Sequence, residues 1–423
     1  MRPNMKLKII FILFVISMQL FADNENTKKV DYWIDNGNYL KAIDLLETMT
    51  KENPESAESY LKLGKIFTSL KMHDKSLGYF KTVIELDSTN IQAQILLGNA
   101  FMNSDRYYDA VIQFTQILKH NPENIKVKNL LAELYFKNDK YSEAKRMYEQ
   151  LAEFPLLKNN ALVNIGMCEL RLGNLEEALN ILEKAYQENP LNFGTVLLLN
   201  RAYVTANLYT SSENLLEFEL KKYPLEQRLL KEYANALFQL QKFDKAREIY
   251  NKLQDDPTEK WFRYQKLGMC HYYLDKPKYA ELYLKQSFAQ DSTNFITTYY
   301  YALAKVELEK YEEADKMMSK TIGLSTPSFL PEAYMRKAIC HEKLENYNDA
   351  LDNYQMAAEY APERKDIHYY IATLIDMYFK NPDLAIQKYK SFLKNQKGAD
   401  PAMINYAEMR LDKLEEEKLF SQK

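Results

Sequence analysis

Small residues recur along the chain in one fixed phase. A first series repeats every 34 residues and comprises Gly64, Gly98, Ala132, Gly166, Asn200, Ala234, Gly268 and Ala302. A second series follows the first by twelve positions and comprises Ser76, Ala110, Ala144, Ala178, Ser212, Ala246, Ala280 and Ala314. Two antiparallel helices approach closely only where neither carries a bulky side chain. The two series therefore predict a pair of packed helices in each unit.

Large hydrophobic residues flank the small ones at helical spacing. They stand three positions after the first series or four after the second, as at Phe67, Tyr135, Phe80, Phe114 and Tyr148. Spacings of three and four residues place side chains on one face of a helix. Proline closes many units, at Pro54, Pro122, Pro190 and Pro224. Because proline lacks an N–H and crowds the preceding turn, it ends the second helix there.

These residues resemble tetratricopeptide repeats. The likeness is carried by motif residues such as Leu63-Gly64, Ala110 and Pro122, and it covers nearly the whole chain after the N-terminal segment. Membership of that family implies an all-α fold. The resemblance further implies a right-handed superhelical solenoid of about eleven helix pairs, followed by a C-terminal capping helix.

The register divides the chain after its N-terminal segment into two parts. Repeats occupy residues 23–399 and start near residues 23, 57, 91, 125, 159, 193, 227, 261, 295, 331 and 365. Residues 400–423 are predicted to form the capping helix and a charged tail. The apolar stripe of that helix comprises Met403, Ala407, Leu411 and Leu414. Its opposite face is charged, as the solubility of a terminal repeat requires.

Two steps of the register are longer than the others. The step from Ala302 to Ala338 is 36 residues, and the turn residues 323–328 are expected to form a loop that absorbs the insertion. The step from Ala372 to Ala407 is 35 residues, and its extra residue is assigned to the segment 381–383.

Residues 1–22 have the pattern of a secretory signal peptide. Arg2, Lys6 and Lys8 precede an apolar run over residues 9–17, and polar residues follow from Asp23. This order predicts export to the periplasm or cell envelope, with cleavage near Ala22. One alternative is an uncleaved segment that anchors the chain to a membrane, and another is a short buried helix.

Composition supports a helical protein and narrows the choice of partner. Only 10 Gly and 13 Pro occur in 423 residues, so turns are few. The 56 basic and 59 acidic residues leave a formal charge of -3, which gives no net field to attract nucleic acid or an anionic membrane. We expect a protein or peptide partner, no nucleic acid, and membrane contact only through the N-terminal segment.

The three cysteines predict neither a disulfide framework nor a metal site. An odd number cannot pair completely. Cys168, Cys270 and Cys340 fall in the fifth, eighth and tenth repeats. Stacked helices lie about 10 Å apart, too far for these thiols to share a ligand. The sequence also lacks a Gly-rich phosphate loop, a His-Glu zinc motif and a nucleophile turn. We therefore expect no metal, no cofactor and no enzymatic activity.

The resemblance places a binding groove on the first helix of each pair. At and beside the groove positions, aromatic and Met side chains are denser than a solvated surface needs. The candidate residues are Phe136, Met167, Lys231, Asn235, Phe238, Phe262, Met269, Tyr272, Tyr299, Tyr300, Met335 and Tyr369. The alternative for any one of them is packing against a neighbouring helix.

One binding motif of the family is incomplete here. Some members hold the C-termini of heat-shock chaperones in a carboxylate clamp. Lys231 and Asn235 match its first Lys and Asn, but Lys266 stands where the clamp has Asn. Ile296 and Tyr300 stand where it has Lys and Arg. We therefore do not expect that specificity.

Repeats and signal together predict a non-enzymatic protein–protein interaction scaffold. It is expected to bind a peptide or partner helix in a concave groove, in the assembly or regulation of a cell-envelope complex. The alternative is an envelope protein that binds glycans or lipids through the same aromatic residues.

Overall fold

The described part of the chain forms two compact units. A computed structural model describes residues 25–254, 256–394 and 398–421. Unit 1 ends at Ala206 and unit 2 begins at Asn207. Every regular element in these described residues is a helix, which confirms the all-α prediction. The expected signal peptide, residues 1–22, lies outside the described residues.

Unit 1 is a succession of helices that pack in pairs joined by short turns. Its helices are α1 (25–35), α2 (Tyr39–Glu52), α3 (Ala57–Ser69), α4 (His73–Leu86), α5 (Ile91–Asn103), α6 (Tyr107–His120), α7 (Ile125–Lys137), α8 (Tyr141–Ala152), α9 (Lys158–Leu172), α10 (Leu175–Glu188) and α11 (Phe193–Thr205). Five helices begin within one residue of the expected repeat starts; they are α3, α5, α7, α9 and α11.

Unit 2 continues the same pattern. Its helices are α12 (Tyr209–Lys222), α13 (Gln227–Gln239), α14 (Phe243–Lys252), α15 (Lys260–Tyr273), α16 (Pro277–Gln290), α17 (Phe295–Glu307), α18 (Tyr311–Leu324), α19 (Leu330–Lys343), α20 (Tyr347–Tyr360), α21 (Lys365–Leu374), α22 (Pro382–Lys394) and α23 (Pro401–Ser421). No helix in the described ranges of either unit combines the length and apolarity that crossing a membrane requires.

The helices of each pair meet at the small residues. A Cβ built on Gly166 of α9 would lie 2.6 Å from Leu182 Cγ on α10, closer than real side chains approach. A Cβ built on Gly268 of α15 would lie 2.5 Å from Leu284 Cγ on α16. The crossings therefore use glycine for close approach, and the large residue of the second helix fills the space that glycine leaves.

Asparagine begins several of the first helices. Asn90, Asn124, Asn192 and Asn294 each accept a hydrogen bond from the backbone N–H three residues further on. This bond satisfies one of the N–H groups that a helix start leaves unpaired.

A residue in the left-handed region sits in the turn that follows each first helix. These residues recur every 34 positions and are Gly37, Lys71, Asp105, Asp139 and Gly173 in unit 1, and Asn207, Gln241, Asp275 and Glu309 in unit 2. Glu345 and Lys380 follow at steps of 36 and 35 residues. In three turns a tyrosine two residues later donates a hydrogen bond to the Asp or Asn side chain, as Tyr107 does to Asp105 at 2.9 Å. The turn geometry is thus repeated even where its residue type is not.

The two long steps of the register are absorbed in different ways. The first insertion lies in the connection 325–329, slightly later than the expected 323–328, because α18 continues to Leu324. The second extra residue was expected in the segment 381–383, which is wrong. It lies in a π-helical turn, Ile375–Phe379, that follows α21 directly. A π-helical turn takes in one additional residue without breaking the helix.

Helix α23 packs on the last helix pair. Ala407 and Leu414 are buried against α21 and α22, with Met403 and Leu411 partly buried beside them. Arg410 donates hydrogen bonds to both oxygens of Asp376, at 2.6 and 3.0 Å. The apolar stripe of α23 and this ion pair therefore fix the helix in place.

Candidate partner-binding face

The predicted groove residues fall in both units and differ in exposure. Phe136 and Met167 are half-buried in unit 1, where the Phe136 ring packs edge-on against Tyr141 at 5.3 Å. The other ten lie in unit 2. Of these, Met269, Tyr299 and Met335 are at most 7% exposed. These three side chains pack between helices and offer a partner little surface.

A row of aromatic side chains in unit 2 remains accessible. We define the aromatic face as Phe238, Phe262, Tyr272, Tyr273 and Tyr300, which are half-buried except for Tyr273, the most exposed at 45%. They belong to α13, α15 and α17, the first helices of three successive pairs. Side chains that recur on successive first helices line one side of a stack of pairs, as the repeat register predicts.

Edge contacts hold these rings in place. Phe238 meets Tyr273 at 6.0 Å between ring centroids, and Tyr272 meets Tyr300 at 5.6 Å, both nearly perpendicular. The hydroxyls of Tyr273 and Tyr300 lie 2.5 Å apart and share a hydrogen bond. Phe243 stacks on the Tyr273 ring at 4.4 Å. The aromatic face is therefore ordered before any partner binds.

The two residues that match the carboxylate clamp are engaged within the chain. Lys231 donates to Glu259 at 2.7 Å, and its ammonium lies 4.9 Å from the centre of the Phe262 ring. The Asn235 side-chain oxygen accepts a hydrogen bond from the Tyr250 hydroxyl at 2.7 Å. Both residues thus stabilise the packing of neighbouring helices.

An ion-pair network follows the aromatic face along the first helices. The Tyr299 hydroxyl donates to Glu332 at 3.0 Å, and Glu332 also accepts from Arg336 at 2.8 Å and Arg364 at 3.0 Å. Burial raises the pKa of the Glu332 carboxyl, but the two arginines outweigh it and hold that pKa below its ordinary value. The charges of this network are therefore satisfied within the chain.

Met335 and Tyr369 lie on the later first helices α19 and α21. The Met335 sulfur is 3.4 Å from an Arg364 nitrogen. Tyr369 packs on Phe392 of α22 and on Tyr406 of α23, with ring centroids 5.6 and 6.0 Å away. Tyr369 thus joins the last pair to the capping helix.

Lys266 differs from the other cations on this side of unit 2. Its ammonium lies 4.6 Å from the centre of the Phe238 ring and 5.6 Å from that of Phe262. Burial lowers the pKa of the Lys266 ammonium. Within the residues that the structure describes, it has no carboxylate partner.

The three cysteines are separate, buried thiols. Burial raises the pKa of Cys168, Cys270 and Cys340 to about 12 in each case. These thiols are therefore protonated at neutral pH, and a protonated thiol is a poor nucleophile and a poor metal ligand.

A family model for the tetratricopeptide repeat matches the sequence at residues 28–91, 129–193 and 197–260. The matched stretches fall on the same helix pairs that the small-residue register identifies. These stretches are tetratricopeptide repeats. Tetratricopeptide repeats generally act as non-catalytic scaffolds, and they generally bind protein partners.

Solved structures of other tetratricopeptide repeat proteins align loosely with the chain. One chain in the structure of the APC/C hetero-tetramer Cut9–Hcn1 aligns over 91% of this chain and 88% of its own length, with 15% identity and a TM-score of 0.43. A tetratricopeptide repeat protein from Parabacteroides merdae aligns over 59% of this chain and 98% of its own, with 17% identity and a TM-score of 0.41. Yeast Tom70 aligns over 92% and 95%, with 15% identity and a TM-score of 0.39. A search of curated proteins found no match.

Several residues of this side of unit 2 were outside the predicted site. Tyr273 is one position past the groove register, although it directly follows the candidate Tyr272 in the sequence. Phe329 packs on Tyr299 at 4.9 Å and comes from the inserted connection, whose path the register did not give. Arg364 lies just before α21, so its contact with Glu332 depends on how successive pairs stack.

Proposed function

We propose that this protein is a non-enzymatic scaffold that binds an extended peptide or a helix of a partner protein along the aromatic face of unit 2. The observation that carries the proposal is a preordered row of partly exposed aromatic side chains on three successive first helices. Aromatic residues are enriched in the buried centres of protein interfaces. Their rigidity also lowers the entropy cost of binding.

We further propose that the protein acts outside the cytoplasm, in assembly or regulation of a cell-envelope complex. Support comes from the N-terminal sequence, in which Arg2, Lys6 and Lys8 precede the apolar run 9–17. Fractionation of cells that express the chain tests this proposal. Recovery with the cytoplasmic proteins, with residues 1–22 still attached, would contradict it.

Affinity capture from envelope extracts tests the binding face. The test variants are Tyr273→Ala and Tyr300→Ala, because Tyr299 is buried and its replacement would disturb the core. The matched control is Tyr279→Ala, which removes a tyrosine that is 56% exposed. Tyr279 lies on α16, which pairs with the helix that carries Tyr273. We expect a partner that is retained by the control and lost from both test variants.

Other outcomes separate the alternatives. A partner retained by all three variants would place the binding site elsewhere. Binding of envelope glycans or lipids without protein, abolished by Tyr300→Ala, would favour the glycan- or lipid-binding function instead.

A further inference from the structure

Lys266 is a cation placed among aromatic rings without a countercharge. Its ammonium contacts the faces of Phe238 and Phe262, and the side chain is half-buried. Ring faces attract a cation, but less strongly than a carboxylate does. A partly desolvated charge without an ionic partner is costly to the folded state.

The neighbouring cations on the same side of unit 2 differ from Lys266 in this respect. Lys231 is paired with Glu259, Arg336 with Glu332, and Arg364 with Glu332 and Asp366. The Lys266 ammonium lies over two rings of the aromatic face and has no carboxylate partner within residues 25–254, 256–394 and 398–421. An incoming anion therefore meets a donor that need not first break an ion pair.

We propose that Lys266 binds the side-chain carboxylate of an aspartate or glutamate in the partner segment, and that an aromatic or large apolar residue beside that acid packs on Phe238 and Tyr273. This inference rests on the proposed function and names the chemistry of the partner. The Lys266 side chain is already half-buried in the free protein, so the ion pair forms at a reduced desolvation cost. The Lys266 ammonium lies 4.6 Å from the centre of the Phe238 ring, and that ring lies 6.0 Å from the Tyr273 ring, so one short segment reaches all three side chains.

A side-chain carboxylate fits better than a chain terminus. Recognition of a terminal carboxylate requires several donors that converge on one group. Here the Lys231 ammonium is bound to Glu259 and Asn235 is bound to Tyr250. Lys266 supplies a single ammonium, which suits a single acidic side chain within a longer segment.

Selection from random peptide libraries displayed on phage tests the inference with the full chain as bait. In one library each peptide is fused through its C-terminus, so that only side-chain carboxylates are available; in a second library the C-termini are free. The variants are Lys266→Met and Lys266→Glu. The matched control is Lys285→Met, which removes an exposed lysine from α16. Thermal melting of each variant verifies that it is folded.

We expect the wild-type chain and the Lys285→Met control to enrich fused peptides with Asp or Glu beside an aromatic residue. For such a peptide, Lys266→Met should weaken binding about tenfold, as expected for loss of one charge-assisted hydrogen bond. Replacing the Asp or Glu of the peptide by Asn or Gln should weaken binding to the wild-type chain as much as Lys266→Met does. The same replacement should leave binding to the Lys266→Met variant unchanged. Lys266→Glu should select Lys or Arg at that position.

Three results would overturn the inference. Enrichment of aromatic peptides without an acid would refute the role of Lys266 and leave the proposed function standing. Binding only from the library with free C-termini would show that the ligand is a C-terminal carboxylate and not a side-chain carboxylate. Failure of the wild-type chain to enrich any peptide from either library would count against both the inference and the proposed function.

Discussion

Gly166 lies where α9 crosses α10, and its backbone is helical, so contact and not conformation requires glycine there. A methyl group at this position would overlap Leu182. Gly78 in α4 is also helical, but it is exposed and a Cβ built on it would meet no atom within 4 Å. The same substitution should therefore have opposite effects at the two positions.

We expect Gly166→Ala to destabilise unit 1 by about 1–3 kcal/mol through overpacking. Gly78→Ala should stabilise it by about 0.5–1 kcal/mol, because alanine loses less conformational freedom in a helix. Denaturant unfolding followed by circular dichroism measures both changes. Equal effects of the two substitutions would contradict the crossing geometry.

The turns within helix pairs repeat their backbone more faithfully than their sequence. Glu309 has a φ of 60° and Gly173 a φ of 83° at equivalent positions of different repeats. A residue with a Cβ is strained in this left-handed region, and glycine is not. Nothing lies within 4 Å of a Cβ built on Gly173, so the strain there would be confined to the backbone.

Glu309→Gly should accordingly stabilise the protein by about 0.5–1 kcal/mol, since the relief of strain exceeds the added entropy of the unfolded chain. Gly173→Ala should destabilise it by a similar amount. Thermal melting of the two variants tests this pair, and a loss of stability in Glu309→Gly would show that the turn needs the glutamate side chain.

The same elements show what the sequence could and could not predict. Small residues at 34-residue spacing predicted the helix pairs, since a helix crossing admits few residue types. The extra residue near Ala372 was misplaced, because Asn381, Pro382 and Asp383 have the composition of a loop, whereas the π-helical turn Ile375–Phe379 has ordinary helix residues. A π-helical turn depends on packing between neighbouring elements, which has no local sequence signal.

Prediction of the candidate site was limited in a similar way. The register gives the direction of a side chain around its helix but not the depth of its burial. Tyr299 and Tyr300 are adjacent in sequence, yet Tyr299 is buried against Phe329 and Glu332 whereas Tyr300 remains half-exposed. Lys266 was noted only as a departure from a known motif, because the absence of a carboxylate partner is visible only in three dimensions.

Across the whole molecule, buried tyrosines couple stability to alkaline pH. Burial raises the pKa of the Tyr250, Tyr299, Tyr354 and Tyr389 phenols above the ordinary value of 10.0. The unfolded chain therefore loses these protons at lower pH than the folded chain does. Their contribution is fully present below pH 10 and is lost as pH rises above it.

Each such phenol should lower stability by about 1.4 kcal/mol per pH unit above pH 10. Thermal unfolding as a function of pH, with tyrosine absorbance recorded in parallel, measures this slope. Tyr250→Phe should reduce this slope by the contribution of one phenol, about 1.4 kcal/mol per pH unit. Ionisation of all 33 tyrosines in the folded chain near pH 10, with no loss of stability, would contradict the burial of these rings.

The central claim is that a partner protein binds the aromatic face of unit 2, and site-specific photo-crosslinking in the source cells tests it most directly. A photoreactive phenylalanine would replace Tyr273 in one variant and Tyr279 in another. Tyr279 is the more exposed of the two, at 56% against 45%, so accessibility alone favours the control. We predict a protein crosslink from position 273 and little from position 279. Equal crosslinking at both positions, crosslinking at 279 alone, or none at either would contradict the claim.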